Sequence, residues 1–313
     1  MGIGLSDEGM AFAHLSRKND AYQLEHVDFA PVTSLKEMES TLSDWVKAFN
    51  VKDSETNFVL AVSEANILLT EAPEVEDKEL NQAMRWKLKD STEVDMEKSI
   101  VDVFPIPGQR ERGRQPMAYV VSAEKKLLKG YVALIENCNL NLKSIDITAL
   151  AQRNIANTLP EDEHGVAFLS LYANSGLLSL SRKGDLYLAR DLDVGYRSFS
   201  LEAEKSLNRE DGLQMEGLPS ATQQTLEQIV LEVQRSMDYY ERYFAQPPIQ
   251  ALVLAPLPTP IPGLADEISN QLGMKVRELD VNEILSVEQP VERSLQSKFL
   301  SAIGAALRLT QAA

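Results

Sequence analysis

The apolar positions of this chain recur with two spacings, which predict helices and strands in alternation. Steps of three and four predict helices over residues 34–50, 77–90, 124–137, 148–157, 221–244 and 264–272, and a last apolar face runs through residues 295–307. Short apolar runs between turn residues predict strands over residues 10–15, 22–27, 58–62, 67–70, 99–105, 117–123, 142–147, 166–171, 177–181, 186–190, 251–255 and 275–279. Strands that alternate with helices are typical of an α/β protein.

An internal repeat divides the chain into two halves. Residues 15–20 read Leu-Ser-Arg-Lys-Asn-Asp, and residues 180–185 read Leu-Ser-Arg-Lys-Gly-Asp. In each copy the hexapeptide closes the second strand of a three-strand run, and its last two residues suit a tight turn. Between the copies, the polar residues 160–165 are the best candidate for a domain boundary. Two related α/β lobes that each open with a three-strand meander resemble the actin and FtsA superfamily.

Charge and the rare residue types exclude several classes of protein. The 313 residues include 31 Lys+Arg and 47 Asp+Glu, a net charge of −16, which excludes a whole-surface attraction to nucleic acid or anionic lipid. The single cysteine, Cys138, excludes an intrachain disulfide, and the three histidines lack further ligands at metal-like spacing, so no metal site is predicted. No apolar stretch reaches about 20 residues, the length that spans a bilayer, and no signal-peptide pattern is present, which predicts a cytoplasmic protein.

Three stretches of the chain carry a more specific resemblance. Residues 83–90 read Ala-Met-Arg-Trp-Lys-Leu-Lys-Asp, residues 98–104 read Lys-Ser-Ile-Val-Asp-Val-Phe, and residues 233–240 read Val-Gln-Arg-Ser-Met-Asp-Tyr-Tyr. The first two resemble the inserted subdomain, and the third the long second-lobe helix, of the PilM family, which are actin-like cytoplasmic proteins of type IV pilus assembly. Residues 255–264 occupy the place of its glycine-rich adenosine motif, which ends in Pro-Gly-Leu. The resemblance covers nearly the whole chain and looks closest to the MshI-like branch, which serves the mannose-sensitive haemagglutinin (MSHA) pilus.

The resemblance implies a two-lobe, actin-like (FtsA-type) α/β fold with an inserted subdomain in the first lobe. The first lobe is expected over residues 1–160, with the insertion at about residues 34–146, and the second lobe over residues 165–290. Residues 291–313 are expected to form a C-terminal helix that returns to the first lobe. An insertion is expected because a plain actin-like lobe needs fewer elements, and its sheet should contain the hairpin of residues 99–123.

An actin-like ATPase holds its nucleotide between the lobes, and each lobe supplies a turn with the pattern Asp-x-Gly. The Asp organises the metal and its water, and the Gly lets backbone N–H groups approach phosphate oxygens. In the first lobe this place falls near Ser6 and lacks the Asp, while Asp7 lies one position beyond. In the second lobe Ser170 replaces the Asp and Tyr172 replaces the Gly, in a run that reaches Ser175.

The adenosine segment departs from the family pattern as well. Where glycines are expected the chain reads Ala255-Pro256-Leu257-Pro258, in a segment that closes at Gly263, and each proline removes a backbone donor. Three departures together predict a cleft that no longer hydrolyses ATP, with no catalytic residue and no cofactor. The alternative is an intact site in a shifted register, which would bind ATP.

One tryptophan stands apart from the apolar face of its helix. Leu80, Met84 and Leu88 form the apolar stripe, and Trp86 lies on the other flank beside Arg85. Tryptophan and arginine are enriched at protein interfaces. Arg85 and Trp86 are therefore predicted to border a partner-binding groove, and the alternative is that Trp86 packs in the core.

By resemblance, the protein is expected to be a non-catalytic cytoplasmic scaffold of an MSHA-type type IV pilus assembly platform. Family members capture the cytoplasmic N-terminal segment of a PilN-like, single-span inner-membrane partner in a groove between the first lobe and its insertion. The protein would then be peripheral at the inner membrane through its partners, which include other platform proteins, with no nucleic acid bound and no insertion into the membrane. Two alternatives stay open, a nucleotide-binding actin-like ATPase and a filament-forming protein.

Overall fold

A computed structural model of the protein describes residues 1–18, 21–88, 95, 97–109, 115–199 and 220–308. Its strands are β1 Gly2–Ser6, β2 Gly9–Lys18, β3 Ala21–Ala30, β4 Glu55–Val59, β5 Ala65–Glu71, β6 Ser99–Pro105, β7 Met117–Glu124, β8 Asn141–Asp146, β9 Val166–Leu171, β10 Gly176–Arg182, β11 Asp185–Leu192, β12 Ala251–Leu254, β13 Lys275–Glu278 and β14 Ser286–Val287. Its α-helices are α1 Leu35–Ala48, α2 Asp77–Lys87, α3 Lys125–Asn137, α4 Thr148–Ala156, α5 Ser220–Phe244, α6 Leu264–Leu272, α7 Val281–Ile284 and α8 Arg293–Ala306. The predicted alternation of strands and helices is confirmed.

The chain divides into two units whose sheets share one strand order. The first unit joins Met1–Ile155 to Lys298–Ala313, and the second is Ala156–Ser297, so the divisions lie close in sequence to the boundaries expected at residues 160 and 291. The first unit has the strand order β3-β2-β1-β4-β8 and the second has β11-β10-β9-β12-β13. In both, three antiparallel strands form a meander and two further strands run parallel to the first of them.

Helices α1 and α3 contribute to the core of the first unit. The side chain of Ser34 accepts a hydrogen bond from the Glu37 N–H and Glu37 accepts one from the Ser34 N–H, a capping box that starts α1. The helical stripe then buries Trp45, whose ring lies 5.8 Å from that of Phe12 on β2. Trp45 is therefore a core residue, as its position on the stripe predicts.

A separate three-stranded sheet lies within the first unit, in the order β5-β7-β6. All its strands are antiparallel, and β6 and β7 form the hairpin predicted for residues 99–123. Helix α2 packs on one face of this sheet through its buried stripe. The sheet and α2 span residues 65–124, which is less than the insertion expected at about residues 34–146, because α1 and α3 pack in the core of the main sheet.

The C-terminal helix α8 packs closely on the first unit through glycines. A Cβ on Gly4 would lie 2.1 Å from the Ser301 Oγ and 2.7 Å from the Ala302 backbone nitrogen. A Cβ on Gly304 would lie 2.3 Å from the Ala151 carbonyl oxygen on α4. Because glycine has no Cβ, it lets the neighbouring segment approach this closely, and any other residue would clash. The end of α8 therefore lies directly against β1 and α4.

The second unit buries its central strand and one face of α5. Strand β9 is buried along its whole length. Five side chains of the stripe predicted for α5 are buried: Leu226, Val230, Val233, Tyr240 and Phe244. The turn after β10 centres on Lys183 (φ 53°) and Gly184 (φ 78°), because Asp185 already begins β11. The matching residues 19–20 of the first copy lie outside the described residues.

Candidate functional site

The expected first-lobe nucleotide position is a two-residue turn between β1 and β2. Ser6 pairs with Gly9 across it, and the Ser6 Oγ accepts from the Glu8 N–H and donates to the Gly9 carbonyl oxygen, both at 3.3 Å. The Asp7 carboxylate accepts from the Ser63 hydroxyl at 3.2 Å. Ser6, Asp7 and Glu8 are all exposed. This turn therefore presents the Asp7 carboxylate to solvent, bonded to a serine from the segment after β4.

Asp146, which the sequence analysis does not single out, lies at the same edge of the sheet. It ends β8, and β1, β4 and β8 are parallel, so their carboxyl ends meet there. The buried carboxylate accepts from the Arg308 Nη1 at 2.9 Å. Burial raises the pKa of Asp146, and the charge of Arg308 opposes that rise. An aspartate near the carboxyl end of a predicted strand that leads into a predicted helix was the available signal.

The second-lobe positions lie around a four-residue turn between β9 and β10. The Tyr172 N–H donates to the Ser175 carbonyl oxygen at 2.8 Å and closes the turn. The Tyr172 carbonyl oxygen accepts from the Tyr196 N–H at 2.8 Å, and the Ala173 carbonyl oxygen accepts from the Arg197 N–H at 3.1 Å. The Tyr172 N–H, which a phosphate-binding turn would direct at a ligand, is therefore used inside the turn.

Side chains and a close backbone contact complete this second turn. A Cβ on Gly195 would lie 2.5 Å from the carbonyl oxygens of Tyr172 and Ala173. The segment at Gly195 therefore packs directly on the backbone of the turn. Ser170 is buried and shares a side-chain hydrogen bond with Tyr172. Burial raises the pKa of the Tyr172 phenol; the Ser170 hydrogen bond opposes this rise and the charge of Asp191 adds to it. Asp191 and Ser170 both pair with Leu177, which places them on one face of the sheet.

The segment in the place of the adenosine motif serves the fold of the second unit. The Ala255 N–H donates to the Leu169 carbonyl oxygen at 2.8 Å, so the buried Ala255 extends the contact of β12 with β9. Gly263 adopts a left-handed φ of 78° at the start of α6, and its carbonyl oxygen accepts from the Glu267 N–H at 2.9 Å. Gly263 therefore retains a role in turning the chain into the helix.

The two turns differ in the chemistry that they offer. The first presents one exposed carboxylate, Asp7, and the second holds the half-buried Tyr172, whose raised pKa keeps its phenol neutral near pH 7. Within the described ranges, no group of three or more His, Cys, Asp or Glu side chains could hold a metal ion. The metal-organising aspartate of an actin-like turn has no counterpart at Ser170.

Helix α2 carries the expected partner-binding residues and separates them from its apolar stripe. Leu80, Met84 and Leu88 are 3%, 0% and 5% exposed and pack on the three-stranded sheet. Trp86 is 66% exposed, so the core alternative is wrong for this tryptophan. Leu80, Met84 and Leu88 are four residues apart and so lie on one side of α2, whereas Trp86 lies on the side that faces solvent.

Arg85 lies at the edge of the three-stranded sheet, and a second apolar side chain lies nearby. The Arg85 Nη1 donates to the Val101 carbonyl oxygen on β6 at 3.4 Å. Ile100, the preceding residue of β6, points to the face opposite α2 and is 43% exposed. Arg85, Trp86 and Ile100 are called the β6-edge surface. Ile100 was not predicted as a site residue. Strand β6 has apolar residues on both faces, so its sequence does not show which face a helix covers.

Two units with one strand order, the first of which contains an inserted three-stranded sheet, define a two-lobe, actin-like α/β protein. The family model described as type IV pilus assembly protein PilM matches residues 2–310. The chain therefore belongs to the PilM family, and the predicted resemblance is confirmed.

Solved structures also resemble the chain. It is 18% identical to the PilM-PilN type IV pilus biogenesis complex, with a TM-score of 0.75 over 98% of this chain and 97% of that chain. The cytoplasmic domain of EpsL, an inner membrane component of the type II secretion system of Vibrio cholerae, is 14% identical, with a TM-score of 0.47 over 96% and 93% of the two chains. The ethanolamine utilization protein EutJ from Carboxydothermus hydrogenoformans is 11% identical, with a TM-score of 0.48 over 98% and 89%. No curated protein matches the chain.

None of the described helices combines the length and the apolar character that crossing a bilayer requires.

Proposed function

We propose that this PilM-family protein is a non-catalytic cytoplasmic scaffold of an MSHA-type type IV pilus assembly platform. In this role it binds the cytoplasmic N-terminal segment of a PilN-like inner-membrane protein, and it is peripheral at the inner membrane through that partner. Family membership and the similarity to a PilM-PilN complex support the proposal. The net charge of −16 suits a basic juxtamembrane segment as the ligand.

The exposure of Trp86 is the observation that carries the proposed binding surface. A large apolar side chain that is 66% exposed offers much of its area to another molecule, since the stripe of α2 already packs on the sheet. Arg85 lies beside Trp86 on α2, and Ile100 on β6 is a second exposed apolar side chain, on the face of the sheet opposite α2. We therefore place the partner segment on the β6-edge surface, where an aromatic anchor and an arginine are typical of binding hot spots.

The variant Trp86→Ala tests this surface by calorimetric titration with the N-terminal peptide of the partner. We expect the affinity to fall by about 2 kcal/mol, roughly 30-fold, while the free energy of unfolding changes little because no core is removed. Met84→Ala is the matched control on the same helix, because Met84 is 0% exposed and its truncation should cost about 2–5 kcal/mol of stability. Unchanged affinity in Trp86→Ala would place the peptide elsewhere.

The proposed absence of ATP hydrolysis has a test of its own. It is supported by Ser170 in place of the metal-organising aspartate and by the Tyr172 N–H, which donates within its own turn. We expect neither phosphate release nor a rise in melting temperature with Mg–ATP, since a ligand that binds only the folded state must raise it. Phosphate release that Ser170→Ala abolishes would favour the ATPase alternative. Sedimentation that increases with protein concentration would favour the filament alternative.

A further inference from the structure

The three-stranded sheet of the first unit ends at β6 among the described strands. Such an edge usually offers backbone groups to which a partner segment can add as a further strand. The direction of these groups follows from two bonds at the ends of β6: the Lys125 N–H donates to the Lys98 carbonyl oxygen at 2.8 Å, and the Ile106 N–H donates to the Met117 carbonyl oxygen at 3.3 Å. The backbone N–H and C=O groups of the even-numbered residues of β6 therefore point toward β7, and those of the odd-numbered residues 99–105 point away from the sheet.

The first two outward residues already have partners within the chain. The Ser99 N–H donates to the Asp95 carbonyl oxygen at 2.9 Å. The Val101 carbonyl oxygen accepts from the Arg85 guanidinium of α2 at 3.4 Å. Arg85 thus bonds to an acceptor that an added strand would need.

At the next two outward residues, it is the backbone N–H that cannot bond to an added strand. The Val103 N–H donates to the carboxylate of its neighbour Asp102 at 2.9 Å, and the same carboxylate oxygen accepts from the Asn81 side chain of α2 at 2.9 Å. Pro105 has no N–H to donate. At four successive outward positions, one backbone group is therefore bonded within the chain or missing.

We infer that the β6-edge surface recognises its PilN-like segment through side chains and not by adding the segment to β6 as a strand. The inference rests on the proposed function and describes the mode of binding. A strand that paired along the whole of β6 would compete with the bonds at Ser99, Val101 and Val103. Trp86 on the helix side and Ile100 on the opposite side offer apolar contact without disturbing those bonds. The ligand class is accordingly a segment with apolar side chains that reach both sides of the edge.

The first test titrates the full chain with the N-terminal peptide of the partner and with copies that are each N-methylated at one backbone nitrogen. We expect every methylation to change Kd by less than about threefold, whereas Trp86→Ala weakens binding about 30-fold. Losses of more than about tenfold at every second peptide nitrogen would overturn the inference, because strand pairing uses alternate N–H groups. If the unmodified peptide does not bind, the proposed function itself is wrong, which is a distinguishable outcome.

A second test follows amide hydrogen exchange in β6 with and without the unmodified peptide. Strand addition would protect outward amides, so the exchange rates at Val101 and Val103 would fall together. We expect both rates to stay within about twofold of their values in the free protein. Slower exchange at both amides would overturn the inference even if every methylated peptide still bound.

Discussion

Strands β1 and β9 occupy the same place in their sheets and yet end in different turns. Each lies between an antiparallel and a parallel neighbour. The two-residue turn after β1 is exposed, whereas the four-residue turn after β9 is bonded through its carbonyl oxygens to the N–H groups of Tyr196 and Arg197. A shared strand order therefore sets where a turn lies, and the segment that packs on the turn decides which of its groups remain exposed.

The two central strands also differ in what packs on them. Gly4 lets α8 approach β1, and the fully buried Phe168 and Leu169 fill the equivalent region of β9. At Gly4 the central strand of the first unit thus uses a missing side chain to admit a helix, while the central strand of the second unit carries large buried side chains. Substitutions in the two units test this contrast.

Gly195→Ala is expected to have the largest effect, because its added Cβ would clash with the backbone of the turn after β9 in the second unit. The added Cβ would lie 2.5 Å from the carbonyl oxygens of Tyr172 and Ala173, which are backbone atoms with little freedom to move. We expect urea denaturation to show a loss of about 3 kcal/mol or more in the free energy of unfolding. Gly263→Ala is the control: its Cβ meets open space, so only the left-handed φ of 78° costs about 1 kcal/mol. Equal losses in both variants would show that residue 195 does not hold the turn.

Gly4→Ala tests the glycine contact of the first unit and should cost about 2 kcal/mol of unfolding free energy. The new Cβ would lie 2.1 Å from the Ser301 Oγ and 2.7 Å from the Ala302 nitrogen. The double variant with Ser301→Ala removes the first of these atoms and should recover part of the loss. Strict additivity of the two single changes in denaturation experiments would argue against direct contact between β1 and α8.

Tyr172→Phe tests the phenol of the second turn through its pH dependence. Burial raises the folded-state pKa of Tyr172, so above about pH 10 the unfolded chain loses this proton first and the stability of the parent protein falls. The variant should lose about 1 kcal/mol near neutral pH from the missing hydrogen bond, and it should decline less steeply than the parent at alkaline pH.

The matched change in the first unit is Tyr131→Phe. Burial also raises the pKa of Tyr131, whose hydroxyl donates to Glu64, so this variant should flatten the alkaline decline in the same direction. Denaturation curves at about pH 8 and about pH 11 measure both variants against the parent. A Tyr172→Phe profile parallel to that of the parent would mean that this phenol ionises as readily as in the unfolded chain.

The smallest effects are expected at the two serines near the expected aspartate positions, and their difference sharpens the comparison. Ser170 is 2% exposed and hydrogen-bonded, so Ser170→Ala should cost about 1 kcal/mol of stability. Ser6 is exposed and bonds only at 3.3 Å, so Ser6→Ala should cost about 0.5 kcal/mol or less. A larger loss at Ser6 in thermal denaturation would show that the open turn is more tightly held than its geometry indicates.

Features with short-range causes could be predicted from the sequence. The buried stripe of α2 and the position of Trp86 off that stripe follow from helical spacing, whereas the exposure of Trp86 is seen only in the structure. The repeated hexapeptide indicated two halves with the same opening strands, and the sheets have that order. The replacement of aspartate by Ser170 is likewise visible in the residues themselves.

Contacts between residues far apart in the chain could not be predicted from the sequence. Asp146 and Arg308 are 162 positions apart, and their ion pair exists because α8 packs on the first unit. The Val101 carbonyl oxygen at the outer edge of β6 is hydrogen-bonded because α2 lies beside β6 and places Arg85 within reach of it. Neither contact leaves a periodic pattern, since each depends on how two elements pack.

The residue types at both turns and the side of α2 on which Trp86 lies can be predicted from the sequence, because strand and helix spacing are local properties of the backbone. That the segment at Gly195 covers the turn at Tyr172, while the turn at Asp7 stays exposed, is seen only in the packed structure. The physical reason is that exposure depends on which distant segment fills the space over a group, and that space is defined only after the chain has packed.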